Sequence, residues 1–165
     1  MPILDTHSLE FISRSAEQTR RVGMRLGTLL KAGDLLCLVG DFGSGKTTFV
    51  QGLAAGWGSL DSVSSPSFIL VNIYRYPEKG SFFHLDAYRL NGREDALELD
   101  VDLMLENGPL VVEWADHIED ALPEENLWVN LRWVNPNQRD LIFNARGNRY
   151  HAMLAEFRKR VYGAL

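Results

Sequence analysis

The densest chemistry in the chain lies in Gly40-Asp41-Phe42-Gly43-Ser44-Gly45-Lys46-Thr47, which has the residue types and spacing of a complete phosphate-binding loop. Its glycines let the backbone curl around an anion and turn successive N–H groups toward phosphate oxygens at the start of the next helix. In that arrangement Lys46 reaches the β and γ phosphates as a flexible point charge, the Thr47 hydroxyl ligates magnesium, and Thr48 touches the α phosphate. No Asn-Lys-x-Asp guanine-reading motif is present, which favours ATP over GTP.

Hydrolysis also requires a carboxylate at the end of a neighbouring strand, to hold magnesium or orient water. Asp86 ends the run Phe82-Phe83-His84-Leu85, and Glu113 ends Leu110-Val111-Val112. Glu113 fits the position better, because its aliphatic run follows a helical segment as a parallel crossover requires, whereas the Asp86 strand reads as half of a hairpin. Whether Asp86 or Glu113 is the direct metal ligand stays open at this level. His84 alternates with Asp86 and so shares its face, where an imidazole serves either to orient the acid or to pack. Arg89 reads as an exposed partner of nearby acids more readily than as a charge-stabilising finger. Trp114, adjacent to Glu113, is expected to point to the opposite face and pack in the core.

These groups need a strand-loop-helix scaffold. Leu35 to Val39 is a short apolar run suited to a strand buried on both faces, and a helix should follow from about Gly45 to Ala55, ended by Gly56 and Gly58. Upstream, Ser15-Ala16-Glu17-Gln18 has the form of a capping box, and Val22, Leu26, Leu29 and Leu30 recur at helical spacing until Gly33. A helix is therefore expected before the first strand. Ser64-Ser65-Pro66-Ser67 is a polar turn of the kind that senses a γ phosphate, followed by β-rich runs from Phe68 to Tyr74 and from Phe82 to Asp86 that suggest a hairpin. One or two short helices from Arg93 to Glu106, a strand at Leu110 to Trp114, and a short helix at Ala115 to Ala121 come next. Two late strands, Leu127 to Val134 and Leu141 to Ala145, precede a final helix from about Arg149 to Tyr162.

The 165 residues suit a single domain spanning 1–165, with no linker, repeat or low-complexity stretch. The expected class is α/β, a mixed, mostly parallel sheet flanked by helices with a hairpin after the phosphate-loop helix. No long apolar run suggests a membrane span, and the expected location is the cytoplasm. The single cysteine, Cys37, falls in the buried run before the loop and reads as a core residue. A net charge of −5 argues against direct grip on a nucleic-acid backbone, so any RNA connection is expected to be indirect.

Taken together, Gly40 to Phe49, Ser65-Pro66-Ser67-Phe68, His84-Leu85-Asp86-Ala87-Tyr88-Arg89-Leu90 and Glu113-Trp114-Ala115-Asp116 resemble, in order and spacing, the TsaE family. The resemblance implies a P-loop ATPase, weak alone and stimulated by TsaD-like and TsaB-like partners, required for threonylcarbamoyladenosine modification of tRNAs that read codons beginning with A. It assigns nucleotide binding to Gly43, Ser44, Gly45, Lys46, Thr47 and Thr48, magnesium to Thr47 and Glu113, and an essential role to Asp86, with Trp114 in the functional set. It further points to Glu17 and Thr19 at the first helix and to Arg139 as late nucleotide contacts. Ser67 departs from the commoner Thr but keeps the hydroxyl. Two other classes share the loop. One is a small-molecule kinase, disfavoured by the lack of an arginine-rich lid. The other is a nucleotide-gated interaction module with incidental hydrolysis.

Overall fold

A computed structural model describes residues 6–63 and 71–163. The expected switch-like turn Ser64 to Ser67, and Phe68, lie outside the described residues. Seven strands form one sheet: β1 Ser8–Ser13, β2 Leu35–Val39, β3 Val71–Tyr76, β4 Gly80–Asp86, β5 Leu110–Glu113, β6 Asn126–Asn135 and β7 Gln138–Arg146. Their spatial order is β1-β7-β6-β2-β5-β4-β3. The centre, β6-β2-β5-β4, is parallel; β3 joins β4, and β7 joins β6 and β1, in antiparallel pairs. Strands β3 and β7 alone run against the other five. Strand β4 thus belongs both to the hairpin expected with β3 and to the parallel centre, so hairpin membership does not set Asp86 apart from Glu113.

Five α-helices complete the described fold: α1 Ala16–Gly27, α2 Lys46–Trp57, α3 Arg93–Leu97, α4 Val101–Asn107 and α5 Asn148–Tyr162, with a 3-10 segment at Ala115–Ala121. No helix among the described residues is long and apolar enough to cross a membrane. Strand β2 is buried on both faces, as its unbroken apolar run requires. Leu36 and Leu38 pack under α1, α2 and α5 with Phe49, Leu53 and Phe157, while Leu35 and Cys37 pack on the other face with Leu85, Val112 and Ile118. Burial pushes the Cys37 thiol far up, consistent with a core role.

Three expectations need correction. The first strand is β1, not β2, and it precedes α1. Helix α1 ends at Gly27 with Thr28 capping it; Leu29 and Leu30 follow in tighter turns, their N–H groups bonding the Leu26 and Gly27 carbonyls, so Gly33 is not its stop. At its start Ser15 caps the helix, its Oγ accepting from Gln18 N–H at 3.1 Å, while the Gln18 side chain reaches past Ser15 to accept from Arg14 N–H at 2.8 Å, one residue before the N–H of a strict capping box. Gly56 likewise does not end α2; the left-handed Gly58 does. Gly56 and Gly52 instead face α1, where a Cβ would strike the carbonyls of Met24 and Arg20, and Gly23 and Gly27 would strike those of Phe49 and Leu53. Two glycine pairs four residues apart thus let the helix backbones touch. That contact brings the first turn of α1 against the phosphate loop: a Cβ on Gly45 would sit 3.7 Å from Thr19 Cγ2.

Candidate nucleotide-binding site

Strand β2 delivers the chain into the loop at the C-terminal edge of the parallel strands, the place where open α/β sheets bind ligands. Gly43 and Gly45 adopt left-handed backbone, with φ of 80° and 100°, which the turn into α2 demands and a side chain would resist. Lys46 is buried, and its Nζ donates to the carbonyl oxygens of Gly40 and Asp41, the latter at 2.9 Å. Burial holds the Lys46 pKa below the usual lysine value, opposed by the charges of Glu113, Asp41, Asp86 and Asp116. Ser44 is fully buried, its Oγ 3.5 Å from Lys46 Nζ.

Asp86 and Glu113 end adjacent parallel strands and are register partners, so they stand side by side on the α2 face of the sheet. Both line a cleft of about 440 Å³ with Gly43, Gly45, Lys46, Thr47 and Thr48. Burial pushes the Asp86 carboxyl up, and Glu113 adds to the shift. The bond from Tyr88 N–H at 2.9 Å, His84 and Lys46 pull it back. A lysine and a carboxyl displaced from their ordinary values in one cleft mark it as the leading functional candidate. The Thr47 hydroxyl and two carboxylates are hard oxygen donors, the set suited to magnesium, which takes one or two carboxylates alongside substrate phosphates. Among the described residues no three His, Cys, Asp or Glu side chains gather into a metal cage of their own.

The remaining walls sort the other expected residues. Ser13, Ser15, Ala16 and Thr19 form one wall, with Ser13 Oγ and Thr19 Oγ1 2.7 Å apart. Glu17 does not reach the cleft; it lies two positions from both Ser15 and Thr19, hence across the helix, and pairs with Arg21 at 3.0 Å. Arg139, near the start of β7 and the register partner of Ser13, lines the cleft beside that wall and donates from Nε to the Gly43 carbonyl at 3.0 Å, tying β7 to the loop. Arg89 is exposed and is not on the cleft wall.

Trp114 requires a correction. The strand ends at Glu113, and Trp114 takes a left-handed φ of 57°, so strand alternation does not extend to it. Its ring lines the cleft, 4.3 Å from Lys46 Nζ, while the half-buried side chain also packs against the core around Leu85 and Val112. There it meets Phe42 and Tyr88, with centroids 5.1 and 5.0 Å away, which make an aromatic rim that the sequence reading did not anticipate. Ser13, Ser15 and the turn residues Pro136 to Gln138 were also missed.

A family model described as threonylcarbamoyl adenosine biosynthesis protein TsaE matches residues 13–141. The chain belongs to the TsaE family. It is 34% identical over 148 residues to the tRNA threonylcarbamoyladenosine biosynthesis protein TsaE of Bacillus subtilis, an alignment covering 90% of this chain and 92% of that protein. The TsaE protein of Streptomyces coelicolor is 42% identical over 112 residues, covering 66% and 74%. The crystal structure of Bacillus subtilis YdiB superposes with a TM-score of 0.80 at 31% identity, over 93% of this chain and 96% of that one. The TsaE span opens at Ser13 on the α1 wall and closes two residues after Arg139, so it encloses every residue that lines the cleft.

Proposed function

We propose that this TsaE-family chain binds and hydrolyses ATP as a cytoplasmic subunit of the machinery that makes threonylcarbamoyladenosine in tRNA, acting with TsaD-like and TsaB-like proteins and meeting tRNA only through them. The observation that carries this reading is the meeting of Lys46, Asp86 and Glu113 on one cleft at the ends of adjacent parallel strands. Family membership supplies the pathway.

In this reading the backbone N–H groups from Gly43 to Thr48 cradle the phosphates, and Thr19 and Arg139 border the rest of the nucleotide. Lys46 exchanges its loop carbonyls for β and γ phosphate oxygens. Thr47, with Glu113 or Asp86, would hold magnesium, which when bound would supply further charge neutralisation at the phosphates. The second carboxylate orients water. Water oxygen attacks the γ phosphorus, the bond to the β–γ bridging oxygen breaks with its electron pair leaving on ADP, and the water proton passes to solvent or phosphate. The protein's contribution is positioning and electrostatics.

One observation favours a nucleotide-gated docking role in addition. Phe42, 71% exposed, sits on the phosphate-holding loop and stacks on Trp114 and Tyr88, so a change at the phosphates is felt at an exposed aromatic. The deciding experiment is phosphate release from ATP by the pure chain, then with TsaD-like and TsaB-like partners added. Weak activity that rises on assembly is expected; no stimulation by either partner overturns the proposed role. Transfer to a small-molecule hydroxyl faster than to water would replace it with a kinase.

A further inference from the structure

We propose that His84 is a positioning residue that fixes the Glu113 carboxylate in the cleft, an inference that rests on the functional reading of Glu113 given above. His84 is fully buried, and its Nε2 lies 2.5 Å from Glu113 Oε2, with the Glu113 side chain itself only 3% exposed. The other ring nitrogen, Nδ1, meets the Tyr74 hydroxyl at 2.9 Å. Both nitrogens are therefore engaged, and the partner at Nε2 is a carboxylate that accepts only, so Nε2 carries the donated proton. The row Glu113–His84–Tyr74 thus crosses β5, β4 and β3, and continues along β3 to Asn72, whose Nδ2 is 3.4 Å from the Tyr74 hydroxyl.

The geometry separates two jobs that share one wall. Asp86 ends the same strand as His84 and lies on the same face, yet the imidazole bonds Glu113 on the neighbouring strand and leaves Asp86 to the Tyr88 N–H. Glu113 is thus held at Oε2 from within the sheet while it borders the cleft. A buried carboxylate stripped of most of its water needs such a bond to satisfy it and to hold it in one rotamer. Groups that orient a metal-binding or water-orienting carboxylate in this way are commonly worth 10- to 100-fold in metal affinity or rate. A histidine serving only the core would need no carboxylate at its inner nitrogen.

The test uses the full chain with His84→Ala, His84→Gln, Tyr74→Phe and Glu113→Ala. Affinity for a fluorescent ADP analogue is titrated with magnesium and in EDTA, and kcat and KM for ATP and urea midpoints are measured alongside. His84→Ala should keep its EDTA affinity and its KM, while its magnesium-dependent gain in affinity and its kcat fall roughly 10-fold or more. His84→Gln, whose side-chain N–H can replace Nε2–H, should recover most of both, and Tyr74→Phe should fall between. Wild-type magnesium dependence and kcat in His84→Ala overturn the proposal. So does a His84→Gln variant that folds yet performs no better than Ala, since packing alone then explains the residue. If His84→Ala does not fold, the Gln and Tyr74→Phe variants decide by the same criteria. If Glu113→Ala itself retains full turnover and magnesium dependence, the functional reading of Glu113 fails. Loss in Glu113→Ala with none in the His84 series refutes only the positioning role.

Discussion

Strand β2 ends in two different ways, and each end borders a buried carboxylate. At its C-terminal end stands Glu113, bonded by His84 at Oε2 and open to the cleft. At its N-terminal end Asp34, 2% exposed, is bonded at both oxygens: Arg149 donates to them at 3.0 and 2.8 Å, and Lys31 N–H adds a third bond at 2.9 Å. Tyr150 completes that clamp by accepting the Leu35 N–H at 2.9 Å, and burial pushes its hydroxyl up to about 12. The clamp docks α5 on the sheet and lies outside the TsaE span at Arg149 and Tyr150; the cleft lies wholly inside it. A carboxylate bonded at both oxygens by protein donors holds the fold together, whereas one left partly committed beside a lysine is available to a ligand. The two ends should therefore answer mutation oppositely, one in activity and the other in stability.

The largest effect should come from Lys46→Ala. It removes the charge that faces the phosphates, and hydrolysis should fall by about 100-fold or more. The urea midpoint should hold near wild type, because burial already opposes the charged form of Lys46. A large stability loss with activity per folded molecule preserved would make Lys46 a scaffold residue. Asp34→Ala is the converse. Stripping Arg149 of its two bonds should cost about 2–3 kcal/mol in urea unfolding, with kcat per folded molecule unchanged. An equal loss of kcat would mean that α5 docking reaches the cleft. Tyr150→Phe should cost less, about 1–2 kcal/mol, since it leaves one buried Leu35 N–H without its acceptor.

The same contrast explains what was legible in the sequence. The loop, the strand-end acids and the hairpin could be read because each is a local pattern: glycine spacing, an apolar run closed by a carboxylate, two β-rich runs about a turn. The place of Trp114 on the cleft could not, because strand alternation stops at Glu113 and a left-handed tryptophan leaves no mark in composition. Strand β1 was missed because its alternation ends on Ser13, a polar residue buried for its bonds to Thr19 and the Ser15 carbonyl rather than for apolarity. The resemblance points to Glu17 together with Thr19, but the side of α1 that meets the cleft carries Ser15, Ala16 and Thr19. The clamp between Asp34 and Arg149 spans 115 residues and has no local signature at all.

The smallest effect turns on the sign of a pKa shift. Asp140, on the scaffold beside the cleft wall, is held below its ordinary value by the Gln138 side-chain bond first and by Arg132, at 3.0 and 2.9 Å. The unfolded chain then binds more protons than the native one between the two pKa values, so stability falls as pH falls. Its contribution is fully present above the ordinary carboxyl value of 3.8 and is lost as pH drops through the native one. Arg132 is largely exposed, so Asp140→Asn should cost under about 1 kcal/mol at neutral pH. The gap between wild-type and Asn urea midpoints should close on acidification below 3.8. A gap independent of pH would mean that shape rather than charge is at work. Asp86 is displaced the other way, upward, because the cleft desolvates it without a cation bonded to it. Below its ordinary value that cost vanishes, and it grows as pH rises through the raised native one, so Asp86→Asn should stabilise the ligand-free chain at neutral pH while it impairs hydrolysis. Opposite stability changes from the same Asp→Asn substitution on β4 and on β7 would separate scaffold from site without any assay of the tRNA product.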